Sequence, residues 1–299
     1  MKPIRAIAVL PTLFTLGNLI CGFFAIVVLA RIEKPTDTTQ FAPAPKIEFK
    51  MQSAQEIRQS ARDLIDSDDP THNLMLCGAL ILLAMIFDAV DGQVARITRG
   101  QSDFGAQLDS LCDLVSFGLA PAILLVKMCP QFTSLHNDAI WMIAAVFACC
   151  AALRLARFNV ETDDEDDHSM FAGLPTPAAA ATIASFAMLS YFLRNETNVV
   201  THENFVTYDW WMQRIVPFFA IVIAILMVSR VPYPHPLTQF VRGQRSFAHL
   251  VAIIFAVSAI LIVRNYAIPL LCVLFVLAPP VRYAWDLVWH RRSRNESLF

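Results

Sequence analysis

The sequence predicts an all-α integral membrane protein, a bundle of about eight transmembrane helices that forms one domain over residues 1–299. Composition is the first reason: 56% of the residues are hydrophobic and only 16% are charged, whereas soluble domains carry about 25% charged residues. The second reason is the recurrence of apolar runs close to the roughly 20 residues that a helix needs to cross the hydrocarbon core.

These apolar runs locate the predicted helices near residues 7–30, 74–94, 107–127, 138–156, 176–193, 215–230, 247–263 and 267–288. The first run is too long for a signal-peptide core and lacks a small-residue cleavage site, so it is predicted to stay as a helix. Residues 31–73 are rich in proline and charge and are predicted to form an extended outer loop. Within that loop, residues 47–65 form either a short amphipathic helix on the membrane surface or a solvated coil.

Lysine and arginine predict the orientation of the chain. With the N-terminus inside, the cytosolic segments carry Lys2, Arg5, Arg96, Arg99, Arg154, Arg157, Arg230, Arg242, Arg245, Arg282, Arg291, Arg292 and Arg294. The short outer loops carry only Lys127, Arg194, Arg214 and Arg264. This bias follows the positive-inside rule. It predicts a multi-pass protein of the cytoplasmic membrane with both termini in the cytosol.

Four aspartates cluster where the second predicted helix ends and the third begins. Asp88 and Asp91 are three residues apart and share a helix face, as do Asp109 and Asp113 at a spacing of four. A tight cytosolic turn between antiparallel helices would bring the two faces together. Because a charge inside a spanning helix costs about 2.5–3.5 kcal/mol and converging carboxylates repel, we expect bound cations among them.

The ligand chemistry narrows the choice of cation. Oxygen ligands without a nearby cysteine or histidine favour a hard ion such as Mg²⁺ or Mn²⁺. Four carboxylates exceed what one Mg²⁺ usually takes from a protein, so two ions are expected. Pairs of metal ions recur in enzymes that catalyse in-line displacement at phosphorus.

Small and basic residues accompany the aspartates. Gly92 and Ala95 lie on the same helix end, and Gly105 begins the facing helix. They either leave room for a ligand against the backbone or permit close helix packing. Arg96 is a candidate for holding a phosphate, and its alternative role is a positive anchor at the membrane surface.

The pattern D-x-x-D-G-x-x-A-R-x8-G-x3-D-x3-D resembles the signature of the CDP-alcohol phosphatidyltransferase family. Its fixed positions are Asp88, Asp91, Gly92, Ala95, Arg96, Gly105, Asp109 and Asp113. The stretches L-P-T-L-F-T-L-G-N-L-I-C-G-F-F, S-F-G-L-A-P-A, R-L-A-R-F-N and F-A-G-L-P-T-P-A-A-A are similar to the phosphatidylserine synthase branch. The resemblance covers roughly residues 8–30 and 74–190, and the long 31–73 segment departs from it.

The resemblance implies a fold, an activity and a set of roles. It implies that Asp88, Asp91 and Asp109 bind two divalent ions, and that Asp113 is both a ligand and the general base. The CDP moiety would lie against Asp88, Gly92, Ala95, Arg96 and Gly105. The implied substrates are CDP-diacylglycerol and L-serine, and the products are phosphatidylserine and CMP. Membrane lipids are expected partners, a homodimer is expected, and no nucleic acid is.

The serine carboxylate requires a fixed cation. Arg157 is the first candidate and Arg154 the second, with Asn159 just beyond them at the cytosolic end of the fourth predicted helix. Both arginines would alternatively serve as positive-inside anchors. Asn18, a polar residue inside the first helix, either faces the substrate cavity or makes a hydrogen bond between helices.

Two other functions compete with serine transfer. A sibling transferase would use glycerol 3-phosphate or inositol phosphate, whose phosphate dianion would favour a denser cationic pocket. A cation-coupled transporter also places acids in the membrane. A transporter, however, should carry those acids at the bilayer midplane on broken helices, whereas here they cluster at one edge.

Overall fold

The computed structural model describes residues 9–32, 70–98, 103–129, 132, 137–161, 170–195, 202–234 and 266–296. Three features of the sequence lie outside these residues. They are the predicted helix at 247–263, nearly all of the 31–73 segment with its alternative surface helix, and the acidic residues at 162–168, for which a solvated cytosolic loop is expected in preference to a metal site.

The described chain is almost entirely helical, as predicted. Its α-helices are α1 (Val9–Ala30), α2 (Pro70–Thr98), α3 (Asp103–Asp113), α4 (Ala120–Met128), α5 (Asn137–Glu161), α6 (Thr176–Asn195), α7 (His202–Val228) and α8 (Ala267–Glu296). A π-helical segment, Leu114–Leu119, joins α3 to α4. Two short strands, β1 (Met170–Ala172) and β2 (Pro232–Pro234), pair antiparallel with Phe171 opposite Tyr233. The sequence did not predict these strands.

Within the described residues, five helical segments are long and apolar enough to cross a membrane. They are Thr12–Ala30, Pro70–Val94, Phe104–Met128, Asp138–Val160 and Trp211–Val228. Helices α6 and α8 add the shorter apolar segments Thr176–Phe192 and Ala267–Tyr283. All seven predicted runs that fall within the described residues are therefore helical, and the chain is a multi-pass membrane protein. The run predicted at 215–230 belongs to a longer helix, α7, because the helix continues N-terminally beyond its apolar part.

The helices pack around α1, α2 and α6. Helix α1 lies along α2 and also contacts α3, the π-helical segment and α4. Helix α2 packs on α6, α6 on α8, and α5 on α7. The largest completely buried side chains include Phe117, Leu124, Ile81, Ile183 and Ile223. Exposed apolar side chains such as those of Ile20, Phe23, Ile86 and Ile225 cover the outer helix faces, as expected for surfaces in contact with lipid.

The π-helical segment follows Asp113 directly, where the sequence predicted an uninterrupted α-helix over 107–127. Its Ser116, Phe117 and Gly118 are buried. Helix α1 approaches it closely, because a Cβ on Gly22 would lie 2.7 Å from the Ser116 Cα atom. Short π-helical turns occur often at functional sites, since the extra residue changes the direction of the neighbouring side chains.

The strands fix the beginning of α6. Gly173, with φ of +90°, turns the chain after β1, and its N–H donates to the Val231 carbonyl at 2.9 Å. The Tyr233 hydroxyl donates to the Val276 carbonyl at 2.9 Å. Burial raises the pKa of Tyr233 to about 12, so the phenol stays protonated and keeps this bond. The segment before α6 is also bonded to α7, because the Leu174 N–H donates to the Leu226 carbonyl, and it is connected to α8 through the pairing of β1 with β2.

Candidate active site and metal centre

Three of the four predicted aspartates converge. One carboxylate oxygen each of Asp88, Asp109 and Asp113 lies within 4.8 Å of the others. Asp88 comes from the C-terminal part of α2, and the other two come from one face of α3, one helical turn apart. The predicted meeting of the two helix faces is confirmed.

The fourth aspartate, Asp91, lies beside this trio and points toward α1. Its carboxylate is buried and accepts a hydrogen bond from the Thr15 hydroxyl. The charges of Asp88 and Asp91 act on Asp109, and those of Asp88 and Asp109 act on Asp113, so the four carboxylates share one electrostatic environment. The role of Asp91 as a metal ligand stays a prediction.

Asp113 is the most enclosed carboxylate of the trio. Its Oδ1 atom accepts a hydrogen bond of 2.8 Å from the Nδ2 atom of Asn18. The Ser116 hydroxyl in turn donates to the backbone carbonyl of Asn18 at 2.9 Å. Asn18 is completely buried and makes a hydrogen bond between helices, which was one of the two roles expected for it. It touches the acidic cluster through that same bond.

The acidic cluster suits a hard divalent cation. Three carboxylate oxygens converge, and the Asp109 Oδ1 atom is buried without a hydrogen-bond partner. A buried acceptor is seldom left unsatisfied, and converging carboxylates repel one another. A cation held by oxygen ligands would resolve both problems.

Arg154, one of the predicted arginines, lies close enough to the cluster for its charge to act on Asp113. Its Nη1 atom donates to the Thr176 hydroxyl at 2.7 Å, and its charge acts on Asp113. Its Nε atom is buried and has no hydrogen-bond partner. Because a buried N–H group without an acceptor is costly, this guanidinium is suited to an anionic ligand.

Arg157 and Asn159 lie farther along α5 and are partly buried. The Asn159 Oδ1 atom accepts a hydrogen bond of 3.0 Å from the Ser110 hydroxyl, so this residue links α5 to α3. That contact places Asn159 next to the helix that carries Asp109. The assignment of either residue to the acceptor pocket stays a prediction.

Among the small residues of the signature, the structure describes the surroundings of Gly92 and the position of Gly105. A Cβ on Gly92 would have no atom of another described side chain within 4 Å, so close helix packing does not explain this glycine. Open space beside an exposed helix position agrees with room for a ligand. Gly105 lies in the first turn of α3, which begins at Asp103. Helix α2 runs through Ala95 and Arg96, but the predictions on their side chains lie outside what the structure describes.

Thr15, Ser116 and Thr176 contact predicted site residues and were not themselves predicted. Thr15 bonds Asp91, Ser116 bonds the Asn18 backbone, and Thr176 bonds Arg154. All three lie in the stretches that resemble the phosphatidylserine synthase branch, and Thr15 is also three residues from Asn18, on the same face of α1.

Comparison with known proteins decides the family. The model of the CDP-alcohol phosphatidyltransferase family matches residues 8–226, which include all four aspartates and the residues that contact them. The chain belongs to this family. The resemblance predicted from the aspartate signature is confirmed, and membership in a transferase family decides against the transporter alternative.

Several curated proteins are similar to this CDP-alcohol phosphatidyltransferase. A CDP-diacylglycerol–serine O-phosphatidyltransferase of Methanocaldococcus jannaschii is 34% identical over 211 residues, which are 69% of this chain and 83% of that protein. The Helicobacter pylori (strain 26695) protein of the same name is 32% identical over 160 residues, 52% of this chain and 59% of its own. An archaetidylserine synthase of Methanothermobacter thermautotrophicus is 36% identical over 158 residues, 52% of this chain and 56% of its own. The chain thus spans little more than half of the last two relatives.

Proposed function

We propose that this chain transfers the phosphatidyl group of CDP-diacylglycerol to the hydroxyl of L-serine, releasing CMP. The observation that supports it most is the convergence of Asp88, Asp109 and Asp113 within 4.8 Å, with Arg154 acting on Asp113. Carboxylates that can hold divalent ions beside a cation suit a reaction in which an anionic pyrophosphate is cleaved. A site near the ends of spanning helices suits a substrate with lipid tails and a water-soluble nucleotide.

In the proposed reaction the serine oxygen attacks the phosphorus that carries the diacylglycerol. Asp113 takes the proton of the serine hydroxyl while the new P–O bond forms and the bond to the CMP phosphate breaks. Two divalent ions, Mg²⁺ or Mn²⁺, held by Asp88, Asp91, Asp109 and Asp113, would neutralise the charge on the pyrophosphate oxygens. The open space beside Gly92 would accept part of the CDP group, together with Ala95, Arg96 and Gly105.

The names of the relatives support serine as the acceptor. Two of the relatives are named for the transfer of a phosphatidyl group to serine, and one is named for the synthesis of archaetidylserine. Serine thus recurs in these names while the lipid portion varies. We infer that serine is the acceptor of this chain as well.

We expect the purified protein to form phosphatidylserine from CDP-diacylglycerol and L-serine. Product formation and CMP release are measured with L-serine, glycerol 3-phosphate and inositol phosphate offered separately. Turnover with glycerol 3-phosphate or inositol phosphate and none with serine would contradict the acceptor and leave the reaction class intact. If none of the three acceptors leads to CMP release, the proposed transferase activity itself would be contradicted.

The structure supports Arg154 over Arg157 as the residue that binds the serine carboxylate, because its buried Nε atom lacks an acceptor. We expect Arg154→Lys to raise the KM for serine roughly ten- to a hundredfold, since it keeps the charge and loses the planar fork. The KM for CDP-diacylglycerol should change much less.

Arg157→Lys is the matched control, one helical turn farther along α5. If it raises the KM for serine more than Arg154→Lys does, the order predicted from the sequence is right and the structural argument is wrong. Equal effects of Arg154→Lys on the KM values of both substrates would assign Arg154 to the lipid phosphate instead.

The proposal also includes the assembly and location of the protein. We propose that it forms a homodimer in the cytoplasmic membrane, with both termini in the cytosol.

A further inference from the structure

Two residues on one face of α1 contact the acidic cluster and a third on that face approaches Ser116, although α1 lies outside the aspartate signature. Thr15, Asn18 and Gly22 are spaced by three and four residues, so they lie one above the other along the helix. Thr15 is 4% exposed and Asn18 is 0% exposed, which means that neither polar side chain faces lipid. This face of α1 points at both helices that carry aspartates.

Each of the two polar side chains binds a different aspartate. The Thr15 hydroxyl donates to Asp91 on α2, and the Asn18 amide donates to the Asp113 Oδ1 atom on α3 at 2.8 Å. A carboxylate has two oxygens that rotate about one bond, so a donor that holds one oxygen also directs the other. Helix α1 thereby sets the orientation of one carboxylate on each side of the cluster.

At the same level, a hydrogen bond holds the backbone of α1 against the π-helical segment that follows α3. Ser116, three residues after Asp113 in the π-helical segment, donates to the Asn18 carbonyl at 2.9 Å. Gly22 allows this approach, because a side chain there would collide with the Ser116 backbone. Asp113 therefore holds the side-chain amide nitrogen of Asn18, and Ser116 holds the backbone carbonyl of the same residue.

The environment of Asn18 is not explained by stability alone. Its Oδ1 atom is buried and has no hydrogen-bond partner, which is unfavourable for an amide. A leucine of similar size would avoid that cost inside a membrane-spanning helix. The compensating feature is the bond to Asp113, the proposed general base.

We propose that α1 acts as a clamp on the acidic cluster, with Thr15 and Asn18 as positioning residues that hold Asp91 and Asp113 in the orientation that binds metal and accepts the serine proton. This inference rests on the proposed function for the proton transfer. The part that concerns metal binding does not depend on which alcohol is the acceptor. Neither residue touches the reacting atoms; each acts through the carboxylate that it holds.

We expect Thr15→Val and Asn18→Leu, which keep size and remove the donor, to weaken Mn²⁺ binding roughly ten- to a hundredfold. Binding to the purified protein is measured without substrate, from the loss of the electron paramagnetic resonance signal of free Mn²⁺. With Mn²⁺ at saturation, Asn18→Leu should lower kcat more than it changes the KM for serine. Thr15→Ser keeps the hydroxyl that Thr15→Val removes, so its Mn²⁺ affinity should be close to that of the wild type.

Thr182→Val is the matched control for loss of a buried hydroxyl. Thr182 is completely buried in α6, and its hydroxyl donates to the Ala178 carbonyl of its own helix. Its substitution should leave Mn²⁺ binding unchanged. Thermal unfolding of each variant in detergent shows that the compared proteins are folded. If Asn18→Leu does not fold, Ser116→Ala removes the bond that holds the Asn18 backbone, and it should weaken binding in the same direction by a smaller factor.

The proposed role of α1 would be wrong if the folded variants bind Mn²⁺ with wild-type affinity. The variants compared are Thr15→Val together with Asn18→Leu, or with Ser116→Ala in its place. An equal loss of affinity in Thr182→Val would also overturn the proposal, because the effect would then be general. These outcomes are independent of the acceptor assay: a protein that ignores serine would contradict the proposed function while the Mn²⁺ titrations still test α1.

Discussion

Removing divalent cations with EDTA is expected to abolish CMP release from CDP-diacylglycerol, and adding Mg²⁺ or Mn²⁺ is expected to restore it. The physical reason is the convergence of Asp88, Asp109 and Asp113, with Asp91 close enough to act on Asp109. The charge of Arg154 acts on Asp113, but converging carboxylates still repel one another, and bound divalent cations would relieve that repulsion. Without cations, the pyrophosphate of the substrate would add further repulsion.

The measurement follows CMP release by the purified protein during a titration of EDTA at constant ionic strength. Adding K⁺ in place of the divalent ion is the control, since it supplies ionic strength but binds carboxylates weakly. Full activity in chelator-treated buffer would contradict metal binding by the cluster. Recovery with K⁺ alone would reduce the role of the cation to general screening.

Asp113→Asn is expected to lower kcat by about 10²–10⁴, the usual effect of losing a general base. Asparagine keeps the size of the side chain and one carbonyl oxygen, so the contact with Asn18 can persist. The KM for CDP-diacylglycerol should therefore change much less than kcat. Asp88→Asn and Asp91→Asn, by contrast, should weaken the metal-dependent binding of CDP-diacylglycerol as well.

Asp138→Asn provides the matched control for this substitution. Asp138 is an exposed aspartate in the first turn of α5, whereas the cluster faces the other end of that helix, where Arg154 lies. Steady-state kinetics of both variants, with CDP-diacylglycerol and serine varied in turn, separates kcat from KM. A near-normal kcat for Asp113→Asn would show that another group accepts the serine proton.

The sequence was sufficient to predict most of the helices and the meeting of the aspartates, because both follow from local rules. Long apolar runs need no partner to be recognised as spanning helices. Asp109 and Asp113 share a face of α3 through helical spacing alone, and a short connection must return the chain beside Asp88. The spacing in the signature also sufficed to predict the family.

The contacts of α1 with the cluster depended on tertiary structure, because Thr15 and Asn18 lie 76 and 95 residues from their partners. Nothing local specifies which face of α1 turns toward α2 and α3. The same reason explains the order of the two arginines: Arg154 and Arg157 look alike in sequence, and only the packing of α6 brings Thr176 to Arg154.

By itself, then, the sequence determined a helical membrane protein with four carboxylates at neighbouring helix ends and the chemistry that such a cluster supports. Tertiary structure decided how those carboxylates are held. It placed a π-helical segment after Asp113, brought Gly22 against Ser116, and turned two polar side chains of α1 toward Asp91 and Asp113. The physical reason is that hydropathy and helical spacing are properties of neighbouring residues, whereas the direction of a carboxylate depends on donors from helices distant in the chain.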